Sequence, residues 1–333
     1  MKITVLGSGG WGTALAALLC ENRHEVTLWS YTEQESENLR TTRENPLLKG
    51  VFLDERIVCT NTPESLASAE LAVMATPSFA VRATAKRIAP LLPEGLPVVS
   101  VTKGIEAGTG LRMTQIIREE TGHPVAALSG PSHAEEVGRG IPTGCVAASE
   151  DRKLAELVQT VFMNERFRVY TSADVVGVEL GAALKNVIAL CAGILDGMGC
   201  GDNTKALLMT RGLAEMARLG IALGGSRETF AGLTGVGDLI VTCTSMHSRN
   251  RRAGILIGEG KSAEEAMKEV GAVVEGYYAA RSAWELSAQT GVEMPIADAA
   301  YRVLYEGLSP KTALNVLMKR GKRREADYTE WEK

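Results

Sequence analysis

The sequence predicts an α/β chain: a doubly wound, mostly parallel sheet in the first half, followed by an all-α domain. Three observations carry this. Short apolar runs alternate with helical stretches up to about residue 172, and a glycine-rich turn joins the first apolar run to the first helix. Beyond residue 173 the pattern becomes long helical periodicity rich in Ala and Leu. The domains are therefore drawn at 1–172 and 173–333.

The elements follow in order. Ile3 to Leu6, Val26 to Trp29, Leu71 to Ala75, Val98 to Thr102 and Val125 to Leu128 are short apolar runs of the kind buried on both faces of a parallel sheet. Val146 and Phe167 to Tyr170 are candidates for later strands. Helices are expected near 173–196, 203–223, 262–269, 275–290 and 296–306. The segment Ala173 to Leu195 is long enough to cross a bilayer. It carries Glu179 and Lys185, however, and a charge near the bilayer centre costs roughly 2.5 to 3.5 kcal/mol on insertion scales. A buried core helix is the expected form, and no membrane insertion is expected.

Composition narrows the function. A formal charge of −4 over 333 residues gives no general attraction to nucleic acid or anionic lipid, so any bound anion must meet a local basic pocket. Met1-Lys2-Ile3 leads straight into the first strand without signal-peptide order, and a cytoplasmic location is expected. The six cysteines and four histidines have no paired metal-ligand spacing. No metal site is expected, and the basic run Lys319 to Arg324 reads as a solvated tail.

Gly7-Ser8-Gly9-Gly10-Trp11-Gly12 sits between a strand and a helix, the context in which this pattern marks a Rossmann-like dinucleotide site. Gly7 permits the tight turn, Gly9 lets backbone approach a pyrophosphate, and Gly12 allows close packing of helix on strand. The helix N-terminus supplies amide donors for the phosphates. The second strand ends in Trp29-Ser30-Tyr31-Thr32, without the acid that usually accepts from the ribose of NAD. Glu33 is near enough to replace it, and Arg40 or Arg43 could fold onto a 2′-phosphate. The cofactor is expected to be NAD or NADP.

Lys185 lies in the apolar helix with Gly181, Ala182, Ala189 and Ala192 on its face, so a ligand can approach its amine. A buried lysine tuned toward about pH 7 to 8 suits general acid–base work on an alcohol or carbonyl, while a structural ion pair, with Glu179 for example, is the alternative. Thr234-Gly235-Val236-Gly237-Asp238 places a carboxylate after a glycine-rich loop. Ser248-Arg249-Asn250-Arg251-Arg252 offers a guanidinium fork, a hydroxyl and an amide suited to phosphate, or simply an exposed basic helix start. Thr76-Pro77-Ser78, Thr102-Lys103-Gly104 and Ser129-Gly130-Pro131-Ser132-His133-Ala134 follow strands at the edge where such sheets bind ligands.

With these motifs in order, the chain resembles the bacterial-type NAD(P)-dependent glycerol-3-phosphate dehydrogenases over essentially its whole length. Gly7 to Ala14, Val101 to Glu106, Ser129 to Ser132, Leu184 to Val187, Gly237 to Leu239, Ser248 to Arg252 and Val274 to Gly276 carry the resemblance. It implies reversible hydride transfer between NAD(P)H and dihydroxyacetone phosphate to give glycerol 3-phosphate for glycerophospholipid synthesis. It also implies a role for each matching residue. Lys185 exchanges the proton at the C2 oxygen, Lys103 contacts substrate and cofactor, and Asp238 orients the site. Gly130, Ser132, Ser248, Arg249 and Asn250 hold substrate and its phosphate, while Gly10, Trp11, Tyr31, Ala134, Arg249, Val273 and Glu275 touch the cofactor. Family habit adds a homodimer. Two other readings remain at this point: a related dehydrogenase of small hydroxy acids, and a dinucleotide sensor without turnover.

Overall fold

The computed structural model describes residues 1–322, 324 and 325. The first lobe is an eight-stranded sheet. Its chain order is β1 (Lys2–Leu6), α1 (Gly10–Glu21), β2 (Glu25–Trp29), α2 (Glu33–Thr42), β3 (Val58–Thr60), β4 (Leu71–Met74), α3 (Val81–Ile88), β5 (Val98–Ser100), α4 (Met113–Thr121), β6 (Val125–Ser129), α5 (Ala134–Gly138), β7 (Thr143–Ala148), α6 (Arg152–Phe162) and β8 (Phe167–Ser172). Across the sheet the strands lie β3-β2-β1-β4-β5-β6-β7-β8. The first six run parallel; β7 pairs antiparallel with β6 and parallel with β8. The strand order reverses between β1 and β4, which opens a ligand crevice at the carboxyl edge there.

Both sheet faces are covered. Ile3, Val5, Leu28 and Val73 pack under α1 on one side, and Leu6, Trp29, Met74 and Val98 under α3 and α4 on the other. This double burial explains why the strands are continuous apolar runs rather than alternating ones. The sequence reading found seven of the eight strands and missed β3, which is only three residues long. Two expected strands end early, β4 at Met74 and β5 at Ser100, so that Thr76 and Thr102 fall in the edge loops.

The second lobe is helical: α7 (Val175–Gly197), α8 (Asp202–Ala222), α9 (Arg227–Ala231), α10 (Asp238–Thr244), α11 (Arg249–Gly258), α12 (Ala263–Val270), α13 (Glu275–Thr290), α14 (Pro295–Tyr305) and α15 (Pro310–Met318). Asp174 starts α7 by accepting from the Gly177 amide at 2.8 Å, and it also receives Ser226 N and Thr229 Oγ1. Among the described residues α7 is the one helix long and apolar enough to cross a bilayer, yet 89% of its most apolar window is buried inside the protein. It is the axis around which the other helices of this lobe pack.

Helix α11 lies against α7 at backbone contact. A Cβ on Gly254 would stand 2.0 Å from the Leu190 carbonyl oxygen, one on Gly193 2.0 Å from that of Arg251, and one on Gly258 2.2 Å from that of Ile194. Residues 234–237, expected as a loop, instead form a wide helical turn that continues into α10, with a Cβ on Gly181 of α7 only 2.6 Å from the Thr234 carbonyl oxygen. Gly181 thus serves the close approach of α7 to this turn, and Gly235 serves packing on the α9 backbone, its Cβ position lying 1.9 Å from the Phe230 carbonyl oxygen. At the basic end, Lys319, Arg320, Lys322 and Arg324 are exposed. Arg320 pairs with Glu293 at 3.3 Å. Arg323 and residues 326–333 of the expected second domain lie outside the described residues.

Candidate active site

The dinucleotide turn is built as the fingerprint requires. Gly7 has φ +117°, and a Cβ there would meet the Ala75 carbonyl oxygen at 2.8 Å, while one on Gly12 would meet that of Gly7 at 1.9 Å. A Cβ on Gly9 would meet nothing within 4 Å, so the head of α1 faces open space. The first amides of that helix have no partners within it and point the same way. Asn45 braces the turn from below, donating to Ser8 O and to Thr13 Oγ1 at 2.6 Å each. Trp11 Nε1 is buried without a hydrogen-bond partner among the described residues. A pyrophosphate-bearing dinucleotide fits this cradle.

At the end of β2, Tyr31 is 72% exposed and stands edge-on to Trp29 with ring centroids 6.3 Å apart. The basic residues nearby are already engaged. Arg40 is paired with Glu33 and Glu37, and Arg43 donates to the carbonyls of Leu53, Asp54 and Ile57. Glu33, the candidate for the ribose, and Arg40 and Arg43, the candidates for a 2′-phosphate, thus have partners in α2 itself and in the loop before β3.

The chemistry gathers where the lobes meet. Asp238, 1% exposed, bridges two ammonium groups, accepting from Lys185 Nζ at 2.9 Å and from Lys103 Nζ at 2.8 Å. The ion-pair partner of Lys185 is thus Asp238 and not Glu179, whose carboxylate instead binds Arg112 and both donors of Thr114. Lys185 also donates to Thr242 Oγ1 at 2.7 Å, and that hydroxyl donates to the Asp238 carbonyl at 2.6 Å. Lys103 donates a second bond to the Gly130 carbonyl at 2.8 Å, as does Ser132 Oγ at 3.1 Å. Gly130 needs its φ of +154°, since a Cβ there would lie 2.7 Å from the Gly144 carbonyl oxygen.

The Lys185 pKa is lowered to about 8: burial is the largest cause, Asp238 opposes it, and Lys103 adds to the lowering. For Asp238 burial favours the neutral acid, but the Lys103 and Lys185 ammoniums outweigh it and hold the carboxyl below its ordinary value. The centre is therefore two cations on one anion, with a lysine poised to gain or lose a proton near neutrality.

Helix α11 aims its N-terminus at the same region. Ser248 caps it by accepting from Arg251 N at 3.2 Å. Arg249 is exposed and feels the carboxylates of Glu275 and Glu135. Asn250 is mostly internal: Nδ2 donates to Asn186 Oδ1 at 2.9 Å and Oδ1 accepts from Gly276 N at 2.8 Å, which ties α11 to α7 and α13. Among the described residues the second Nδ2 proton has no partner. Ala134 heads α5, and Glu275 heads α13 two residues after Val273. The structure thus brings Lys103, Gly130, Ser132, Lys185 and Asp238 into one cluster and Ser248, Arg249, Asn250 and Glu275 beside it, with Tyr31 apart on the far side of the dinucleotide turn. Thr242 was missed, its one signal being the spacing of four from Asp238 along a helix, while Ser78 and Asn186 were named only within a ligand-side loop and a motif, without a role of their own.

Comparison with known proteins agrees with this arrangement. Residues 2–155 match the family described as NAD-dependent glycerol-3-phosphate dehydrogenase N-terminus, and residues 174–315 match its C-terminus counterpart. Glycerol-3-phosphate dehydrogenase (NAD(P)+) of Moorella thermoacetica is 53% identical over 332 residues, covering 99% of each chain. That of Pelotomaculum thermopropionicum is 54% identical, covering 98% of this chain and 95% of the relative. The crystal structure of glycerol-3-phosphate dehydrogenase from Coxiella burnetii superposes with a TM-score of 0.92 at 36% identity, over 96% of this chain and 99% of that one. With a dinucleotide cradle, a buried lysine of lowered pKa and whole-length likeness all in agreement, the chain belongs to the NAD-dependent glycerol-3-phosphate dehydrogenase family, a family of NAD(P)-dependent oxidoreductases.

Proposed function

We propose that this chain catalyses the reversible reduction of dihydroxyacetone phosphate to sn-glycerol 3-phosphate, in the cytoplasm, as the supply of backbone for glycerophospholipids. The observation that carries the reading is Lys185: an amine buried to 5% exposure, with a pKa near 8, on a helix locked at backbone contact to the one whose N-terminus faces the cleft. The nicotinamide, when bound, supplies or accepts the hydride at C2. Gly7, Gly9, Gly10, Trp11 and Gly12 would hold the pyrophosphate, and Tyr31, Lys103, Ala134, Arg249, Val273 and Glu275 would complete the dinucleotide's surroundings.

Lys185 gives a proton from Nζ to the C2 oxygen in reduction and takes it back in oxidation. Asp238 and Thr242 hold that amine in place, and Lys103 neutralises charge growing on the oxygen. Arg249, the free Nδ2 proton of Asn250 and Ser248 anchor the phosphate at the α11 N-terminus, with Gly130 and Ser132 on the opposite wall. Anchoring makes the proton transfer effectively intramolecular. A homodimer and a boundary between the lobes at 172/173 belong to the same reading.

The test is nicotinamide absorbance on mixing the protein with dihydroxyacetone phosphate and, separately, NADH and NADPH. Both are expected to be consumed. Lys185→Ala loses at least ~10² in turnover, the size of a general acid's contribution, and keeps dinucleotide affinity. Arg249→Ala raises KM for the phosphorylated substrate. Turnover near the parent value in Lys185→Ala rejects the proton-transfer role.

A further inference from the structure

Ser78 lies in the loop after β4, beside the reversal of strand order and next to the fingerprint turn, since the Gly7 Cβ position is 3.2 Å from Thr76 N. Its amide donates to Glu275 Oε1 at 3.0 Å and its hydroxyl to Glu275 Oε2 at 2.5 Å. Both carboxylate oxygens are thus held by one residue 197 positions earlier in the chain. Ser78 is itself fixed: a Cβ on Gly104 would fall 2.3 Å from the Ser78 Cβ, so the loops after β4 and β5 meet with no slack. Glu275 opens α13, and the next residue, Gly276, donates to Asn250 of α11, which donates to Asn186 beside Lys185. A continuous set of hydrogen bonds therefore runs from the dinucleotide loop of the sheet lobe to the helix bearing the general acid.

We propose that Ser78 is a positioning residue for the dinucleotide, acting through Glu275: its paired donors hold the Glu275 carboxylate and the start of α13 at the crevice where the cofactor crosses the sheet. This rests on the reading that Glu275 contacts the cofactor. A carboxylate gripped by two donors on a rigid loop has one orientation available. Without the hydroxyl it keeps only the amide bond and can swing toward Arg249, whose charge it already feels.

The test is a double-mutant cycle read as the Kd for NADH and NADPH, with KM for dihydroxyacetone phosphate measured at saturating dinucleotide. Glu275→Ala and Ser78→Ala are each expected to weaken dinucleotide binding about tenfold, the size of one hydrogen bond to a charged group. In the Glu275→Ala background, Ser78→Ala is expected to add less than about a further twofold. KM for dihydroxyacetone phosphate should stay within about twofold of the parent in Ser78→Ala, which a general loss of structure would not allow. If Glu275→Ala weakens the dinucleotide and Ser78→Ala does not, or if the two losses multiply, the positioning role is overturned while the cofactor contact stands. If Glu275→Ala leaves Kd unchanged, the cofactor contact itself is wrong and the role of Ser78 falls with it.

Discussion

Burial favours the neutral amine of Lys185, and Asp238 opposes it by favouring the ammonium. The sign of the pH dependence follows. Reduction uses the ammonium, whose population is constant below about 8 and falls tenfold per unit above it, so kcat/KM for dihydroxyacetone phosphate is flat and then declines through that value. Oxidation uses the free amine and rises with pH until the same point. Asp238→Asn removes the anion and leaves burial and Lys103 unopposed, moving both limbs to lower pH by about 1 to 3 units. Limbs that stay at the parent position in the Asn variant would show that Asp238 does not set the lysine. Lys185, Lys103 and Asp238 were legible because charge inside an apolar or glycine-rich run is costly unless used. Thr242 and the pairing of Ser78 with Glu275 were not: a hydroxyl is ordinary anywhere, and the partners lie 57 and 197 residues away.

Elements show the same division between local and distant information. Strands and the long helices were readable because each carries its own apolar signal, whereas α11 was read only as a basic helix start, since its buried residues are Asn250, Ala253, Gly254 and Ile257 and its first turn is Arg and Asn. Its position is decided by α7, through contacts that only glycine allows. Adding a methyl at Gly254 pushes on the Leu190 carbonyl oxygen at 2.0 Å and on Ile194 N at 2.8 Å, both backbone, so the helices must separate. Gly254→Ala is expected to cost about 1 to 3 kcal/mol as overpacking, seen as a fall in Tm of roughly 2 to 4 °C per kcal/mol. Because α11 carries the phosphate anchor and α7 the proton, the same substitution should raise KM for dihydroxyacetone phosphate more than Kd for the dinucleotide. Equal changes in both would mean that the spacing of these helices does not set the substrate's seat.

At the scale of the molecule, the lobes are joined by buried polar groups rather than by a linker. Glu179 of α7, 4% exposed, accepts from Thr114 N at 2.8 Å and from Thr114 Oγ1 and Arg112 Nη1 at 2.5 Å each, all from the sheet lobe. Ser282 of α13 donates to Ile105 O at 3.0 Å, and Val175 and Val178 of α7 pack on Ala127 and Ala148 of the sheet. Separating the lobes would strand the Glu179 carboxylate and its donors, and losing one partner of such a buried pair costs about 3 to 5 kcal/mol. The lobes should therefore open together. A dinucleotide at 100 times its Kd stabilises the protein by about 2.7 kcal/mol, which slows exchange through global opening about 100-fold. Hydrogen exchange should show that slowing in peptides from α7 and α13 as well as from β1 and α1, although the fingerprint lies in the sheet lobe alone. In Glu179→Ala the slowing should shrink in α7 and α13 and persist in β1 and α1. Protection confined to the sheet lobe in the parent protein would mean that the two lobes unfold independently and that the interface only aligns them.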